Sequence, residues 1–262
     1  MIGPPREVTA ALRCPMCYVG FTRIGGSLRC AAGHAFDIAR QGYVNLLGSS
    51  SGDTAAMVAD RAAFLAAGHY APLASLVAEW AAGCADGLVV DAGAGTGYYL
   101  GAVLRARPSH GLALDVSAVA LRRAARVDPR VGAVVWDVWR PWPVAEHAAA
   151  VVVNVFAPRN GAEFHRVLRP DGTLIVVTPA DDHLAELSGL LAVDPRKAER
   201  LASTLASFEL VRSESLRYPM ALVEDDVRRV LGMGPTAFHA RPVTPAAGTV
   251  TASFQVSAYR PA

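Results

Sequence analysis

Three of the chain's four cysteines and a histidine fall within residues 14–34, CPMCYVGFTRIGGSLRCAAGH. Cys14, Cys17, Cys30 and His34 stand in the order C-x2-C-x12-C-x3-H, the spacing of a closed tetrahedral zinc site. Pro15 fixes φ in a tight first knuckle, and Gly33 supplies the positive φ that turns His34 back toward Cys30. Gly25-Gly26 between the two halves predicts a hairpin turn. A ribbon this short has too little core to fold alone, so metal binding on the order of 10 kcal/mol or more would be its main stabiliser. Buried free thiols or a disulfide are the alternatives, the latter disfavoured in a reducing compartment. With four protein ligands no coordination position is left open. The zinc is therefore expected to be structural, and the chemistry to lie elsewhere in the chain.

The 262 residues suffice for one large α/β domain behind such a module, and the expected division is residues 1–48 and 49–262. An apolar fraction of 52% with 18% charged residues describes a chain that can fill a core. No apolar run approaches the roughly 20 residues a bilayer span needs, and MIGPPREVTAAL lacks the order of a signal peptide. A cytoplasmic protein with no membrane partner is expected. Basic residues are almost all Arg, Lys197 being the only lysine, and the net charge is +2. That balance demands no polyanionic partner, although an Arg patch on one face could supply one. The N-terminal unit is mildly basic, with Arg6, Arg13, Arg23, Arg29 and Arg40 against Glu7 and Asp37.

After the joint Gly48–Asp53, helical periodicity runs from about Ala55 to Gly83, broken at Gly68-His69-Tyr70-Ala71-Pro72. LVVDAGAGTGYYLGAVLRA follows: an apolar run, Asp91, glycines at 93, 95 and 97, then a helix. Such a loop lets the backbone approach a ligand beside free helix N–H groups, but alone it serves nicotinamide, flavin or S-adenosylmethionine (SAM) equally. The strands GLALDVS, VGAVVWDVW and AAAVVVNVFAP end near Asp115, Asp137, and Asn154 with Phe156. HRVLRPDGTLIVVTP gives a helix, a Pro-Asp-Gly turn and a fifth strand. Alternating strands and helices predict a doubly wound parallel sheet with ligand groups at its carboxyl edge. Asp115, eighteen residues after Gly97, is placed to accept ribose hydroxyls; its alternative is a helix N-cap beside Ser117. Asp137 is read as an adenine contact or a surface loop acid. Asp91-x-Gly-x-Gly-x-Gly with RPDGTL favours the SAM-dependent methyltransferase version of this Rossmann-like sheet.

Over nearly its whole length the chain resembles the RlmA-type 23S rRNA (guanine-N1) methyltransferases, including the tylosin-resistance branch. The residues that carry the resemblance are CPMC…C…GHAFDIARQGYVNLL, RAAFLAAGHYAPL, DAGAGTGYY, LDVS, NVFAPRN, TPADDHLAEL and YPMAL…MGPTAFHARP. It implies Zn2+ on Cys14, Cys17, Cys30 and His34, and SAM at the Gly95-Thr96 turn with Tyr70 and His183 nearby. From the residues alone Tyr70 reads as a core aromatic and His183 as a capping or surface histidine. The expected cofactor set is thus Tyr70, Asp91, Gly93, Gly95, Thr96, Gly97, Asp115, Asp137, Asn154 and His183.

Guanine N1 carries a proton, so its methylation requires a base or surroundings that favour the anion, with in-line positioning supplying most of the rate. Asn154, Phe156, Arg159 and His239 are the candidates on the acceptor side, with no base singled out. Phe156 or Phe238 could sandwich a guanine turned out of a hairpin loop. No Lys or Arg lies between Arg40 and Arg61, and a basic segment there would add RNA affinity. That keeps open a related enzyme methylating a small molecule, with possible macrolide resistance attached to the RNA reading, and a non-catalytic protein that docks to the ribosome. The apolar stripe Leu73-Leu76-Val77-Trp80 is expected to pack internally, a homodimer interface being its other use.

Overall fold

A computed structural model describes residues 3–49, 52–190, 204–234 and 246–262. Phe238 and His239 lie outside the described residues. The N-terminal module opens with helix α1 (Arg6–Ala11) and a three-stranded antiparallel sheet of β1 (Phe21–Ile24), β2 (Ser27–Cys30) and β3 (Ala35–Asp37). Gly25 and Gly26 make the expected hairpin turn, with Ile24 opposite Ser27, and Gly33 takes a φ of +87°.

The chain then enters an eight-stranded sheet. Its strands are β4 (Tyr43–Asn45), β5 (Leu88–Ala92), β6 (Gly111–Asp115), β7 (Val131–Val135), β8 (Ala149–Val155), β9 (Leu168–Pro179), β10 (Phe208–Leu222) and β11 (Gly248–Pro261). They are ordered β10-β11-β9-β8-β5-β6-β7-β4. The strands from β9 to β4 pair in parallel, while β11 runs antiparallel between β9 and β10. The order reverses between β5 and β8, which opens a crevice at their carboxyl ends. β4 crosses the division expected at residue 48: Tyr43–Asn45 belongs by pairing to the large sheet, beside β7.

Helices α2 (Ala55–Ala66) and α3 (Ala71–Ala82) fill the predicted helical stretch. Thr54 caps α2 by accepting the Met57 N–H at 3.2 Å. The break between the two helices makes Tyr70 the N-cap residue of α3, with Pro72 in the first turn, where its missing N–H costs nothing. Helices α4 (Tyr98–Ala106), α5 (Ala118–Ala124), α6 (Gly161–Val167) and α7 (Glu224–Gly232) follow. One sheet face buries Phe64, Leu73, Val77, Trp80, Leu100 and Leu121, so the stripe on α3 packs inward. The other buries Trp142 and Phe164 together with Leu12, Cys14, Phe21 and Leu28 of the ribbon.

The Pro-Asp-Gly turn is absorbed into β9. Ladder pairing steps from Ala149–Leu168 to Val151–Thr173, so residues 169–172 bulge out of the strand instead of preceding it.

Candidate functional site

The ribbon gathers its four ligands as the spacing requires. Cys14 and Cys17 flank a knuckle closed by the Tyr18 N–H donating to the Cys14 carbonyl at 2.7 Å. Cys30 ends β2, and the Gly33 turn returns His34 to it. The His34 Nδ1 lies 3.5 Å from Cys14 Sγ and 3.4 Å from Cys30 Sγ, and Cys17 Sγ lies 3.6 Å from Cys30 Sγ. All four ligand atoms fall within 4.8 Å of one another. Zinc–sulfur bonds of about 2.3 Å in a tetrahedron put neighbouring ligands roughly 3.8 Å apart, so three thiols and an imidazole at these distances fit a structural zinc.

The ribbon is also fastened to the catalytic unit. Tyr18 donates its hydroxyl to the Val144 carbonyl at 2.8 Å, and Arg166 of α6 donates to that hydroxyl, to Val144 O and to Trp142 O. Glu163, 8% exposed, holds Arg166 at 2.6 Å and accepts the Trp142 N–H.

At the crevice beside β5 and β8, a cavity of about 390 Å³ is lined by the glycine loop, Tyr70, Asp91, Asp115 and Phe156. Gly93 has φ +79°, and a Cβ there would sit 2.3 Å from that of Ala157, so only glycine lets the loop pass the β8 end. Asp115 shapes the loop directly. Its Oδ2 accepts the Gly95 N–H and its Oδ1 the Ser117 N–H, both at 2.8 Å, while Ser117 caps α5 with its own hydroxyl. Asp115 thus lines the cavity while its carboxylate orders the start of α5, whose N-cap is Ser117.

Asp91 is 2% exposed, and burial, with the nearby Asp115 charge adding, pushes its carboxyl up to about 7. Its Oδ2 and the Tyr99 Oη are buried without hydrogen-bond partners among the described residues, and both residues line the cavity. Orphaned polar atoms around a carboxylate-rich cavity suit a polar, positively charged ligand, which SAM is with its ammonium and sulfonium groups.

Tyr70 and His183 meet at the β9–β11 side. The Ser253 N–H donates to His183 Nδ1 at 3.2 Å. The neutral ring then carries its proton on Nε2, which faces Tyr70 Oη at 3.1 Å and donates to it. Tyr70 is 2% exposed, so the core reading of its ring holds, yet it also lines the cavity. Phe156, φ +54° and 40% exposed, packs its ring 6.2 Å from Tyr70 and stacks 6.4 Å from His183. A bulky residue at positive φ is uncommon, and here the turn that imposes it aims the ring at the cavity.

Other expected residues fall elsewhere. Asn154 is fully buried and donates to the carbonyls of Ala92 and Pro158 at 3.0 and 2.9 Å, tying β8 to β5 behind the cavity wall. Asp137 is absent from the lining; its carboxylate accepts the Trp139 N–H and faces Arg140, which is the loop-acid reading. Arg159 does not line the cavity. Sequence reasoning missed Asp53 and Arg61, which form an ion pair at the rim while Arg61 also donates to the Met233 carbonyl at 2.6 Å. The one signal was an arginine at the first position of RAAFLAAGHYAPL, nine residues before Tyr70.

Comparison with known proteins agrees with this geometry. The family model for the N-terminal zinc ribbon of RlmA proteins matches residues 12–50. A Micromonospora griseorubida protein named as a candidate 23S rRNA (guanine-N1) methyltransferase is 49% identical over 95% of this chain and 97% of its own. The 23S rRNA (guanine(748)-N1)-methyltransferase of Streptomyces fradiae is 49% identical over 90% of this chain and 89% of its own. Among solved structures, a chain from the complex of the Haloferax volcanii Trm112 methyltransferase activator with a candidate methyltransferase shares the fold. It has a TM-score of 0.50 and 15% identity over 81% of this chain and 99% of its own. With the ligand set of the ribbon, the glycine loop and relatives matched nearly end to end, the chain belongs to the RlmA family of 23S rRNA (guanine-N1) methyltransferases.

Proposed function

We propose that the chain transfers a methyl group from SAM to N1 of a guanine in a 23S rRNA hairpin loop. The observation that carries this reading beyond family membership is Phe156: a 40% exposed ring at the β8 end, stacked with His183 and lining the donor cavity. An exposed aromatic at that place offers a face on which an unstacked base can rest.

When bound, SAM supplies an electrophilic methyl on a positively charged sulfur. Asp91, Asp115, the 93–97 backbone and Tyr70 would hold it. Asp115 keeps the Gly95 amide fixed, so the loop is ordered before the donor arrives. His183 occupies the Tyr70 oxygen's acceptor side, which leaves the phenolic proton to be donated to a group in the cavity. Asn154 acts as a positioning residue by fixing the β8 end from which Phe156 projects. An rRNA acceptor places the reaction in the cytoplasm, and macrolide resistance would follow from methylation of the base named for the Streptomyces relative.

Purified enzyme with methyl-labelled SAM, offered 23S rRNA and naked small-molecule acceptors, tests the reading. Label in the RNA, with a reverse-transcription stop at one hairpin guanine, is the expected result. Turnover of a small acceptor with unlabelled RNA at low salt would overturn it in favour of a tailoring enzyme.

A further inference from the structure

Arg122 and Arg123 in the last turn of α5, Arg126 just beyond it and Arg105 at the end of α4 are all exposed. None of these four guanidiniums makes a hydrogen bond or ion pair among the described residues. Several other arginines are matched to carboxylates, Arg61 to Asp53, Arg107 to Asp86, Arg130 to Asp128 and Arg166 to Glu163, whereas Arg6, Arg40 and Arg260, like this cluster, have none among the described residues but stand apart from one another in sequence. The acid closest in sequence to the cluster, Asp128, is already held by Arg130 at 2.7 Å.

The cluster abuts the cofactor loop. A Cβ at Gly97 would lie 2.9 Å from the Ala124 Cα and 3.3 Å from a Val127 methyl. At Gly101 it would lie 3.4 Å from Val127 and 3.5 Å from Arg105 Nη1, so Arg105 reaches back toward the end of α5. The C-terminal dipole of a short helix favours about half a unit of positive charge and does not account for four guanidiniums. The charge of Arg105 is felt by Asp128, while Arg122, Arg123 and Arg126 have no such acid; like charges close together repel, and a polyanion relieves that repulsion.

We propose that Arg105, Arg122, Arg123 and Arg126 form a phosphate-contacting surface that holds the RNA backbone beside the cofactor cleft. The proposal rests on the RNA reading above and adds where the strand outside the active site is gripped. It also answers the sequence's lack of basic residues between Arg40 and Arg61: the charge sits on α4 and α5 instead. Arginine suits the task, since its planar fork matches phosphate oxygens two at a time.

The test uses the full chain as wild type, R122Q/R123Q/R126Q and R122K/R123K/R126K. Binding of a 23S hairpin fragment is followed by anisotropy from 50 to 200 mM salt, with calorimetry for SAM. Three lost phosphate contacts should weaken RNA binding by at least about tenfold at low salt and make the slope of log K against log salt shallower by roughly 2–3. SAM affinity should stay at the wild-type value, and the Lys variant should keep most of the slope. A Gln variant with wild-type affinity and slope overturns the proposal. So does one that keeps its RNA slope but loses binding to phosphatidylserine vesicles, since the surface would then serve a membrane. Wild type that neither binds nor methylates the fragment would overturn the RNA reading itself, an outcome visible before any variant is made.

Discussion

Tyr70 Oη lies 3.1 Å from His183 Nε2, joining two residues 113 positions apart: Tyr70 lines the cavity, and His183 backs it from outside the lining. Neither residue has this role by itself. Tyr70 is set by the break between α2 and α3, and His183 by the turn after β9, with Ser253 of β11 fixing its ring proton.

Tyr70→Phe keeps the packed ring and removes the hydroxyl. It should weaken SAM binding by roughly five- to tenfold, as expected for one hydrogen bond, while changing stability by less than about 1.5 kcal/mol. Calorimetry and thermal melting check the two parts. Tyr70→Ala empties a site that is 2% exposed and should cost about 3–5 kcal/mol in addition.

Asp91 gives a pH signature. Its folded-state carboxyl is raised from 3.8 to about 7 by burial and then by Asp115. Without donor, both folded and unfolded carboxyls are protonated below about pH 4. As pH rises toward 7 the unfolded one ionises first, so stability from this group is lost across that window, on the order of a few kcal/mol. The positively charged donor favours the ionised form, so SAM affinity should rise between pH 6 and 8. Asp91→Asn should flatten both profiles; a pH-dependent affinity that survives the substitution would show another group to be responsible.

Metal content of the purified chain should be about one zinc per protein, held by Cys14, Cys17, Cys30 and His34. Cys14 is fully buried among ribbon and sheet residues, so Cys14→Ser should release the metal and lower the melting temperature by several degrees. Unchanged melting with stoichiometric zinc would remove the structural role.

Arg166 links the ribbon to the catalytic unit through Tyr18, Val144, Trp142 and Glu163. Arg166→Ala leaves the Glu163 carboxylate, 11% exposed at its side chain, without its cation and should cost about 3–5 kcal/mol. Combining it with Glu163→Gln should cost less than the two single losses together, a coupling that a double-mutant cycle in urea measures.

Much of this was legible in the sequence because it is local. The zinc ligands sit at two short spacings, each closed by its own turn, and Asp91 to Gly97 is one strand end and one loop. The α2–α3 break, the strands through β9 and the inward stripe on α3 follow from periodicity and turn residues. Asp137 shows the limit: its position after a strand matches that of Asp115, yet a turn onto Trp139 directs its carboxylate away from the cavity. Periodicity also cannot see that β4 leaves the ribbon to pair with β7, since edge pairing depends on what lies beside it.

By itself, then, the order of residues determined which four side chains gather as a zinc-type ligand set and where the glycine loop falls at the carboxyl edge of the sheet. Only the folded chain decided that Tyr70 meets His183, that Arg61 closes on Asp53, that Arg166 clamps Tyr18 and that the end of α5 packs against Gly97. Spacing along a chain sets the bonds a residue makes with its near neighbours, whereas contacts between distant segments are chosen by how whole faces of apolar surface find cover.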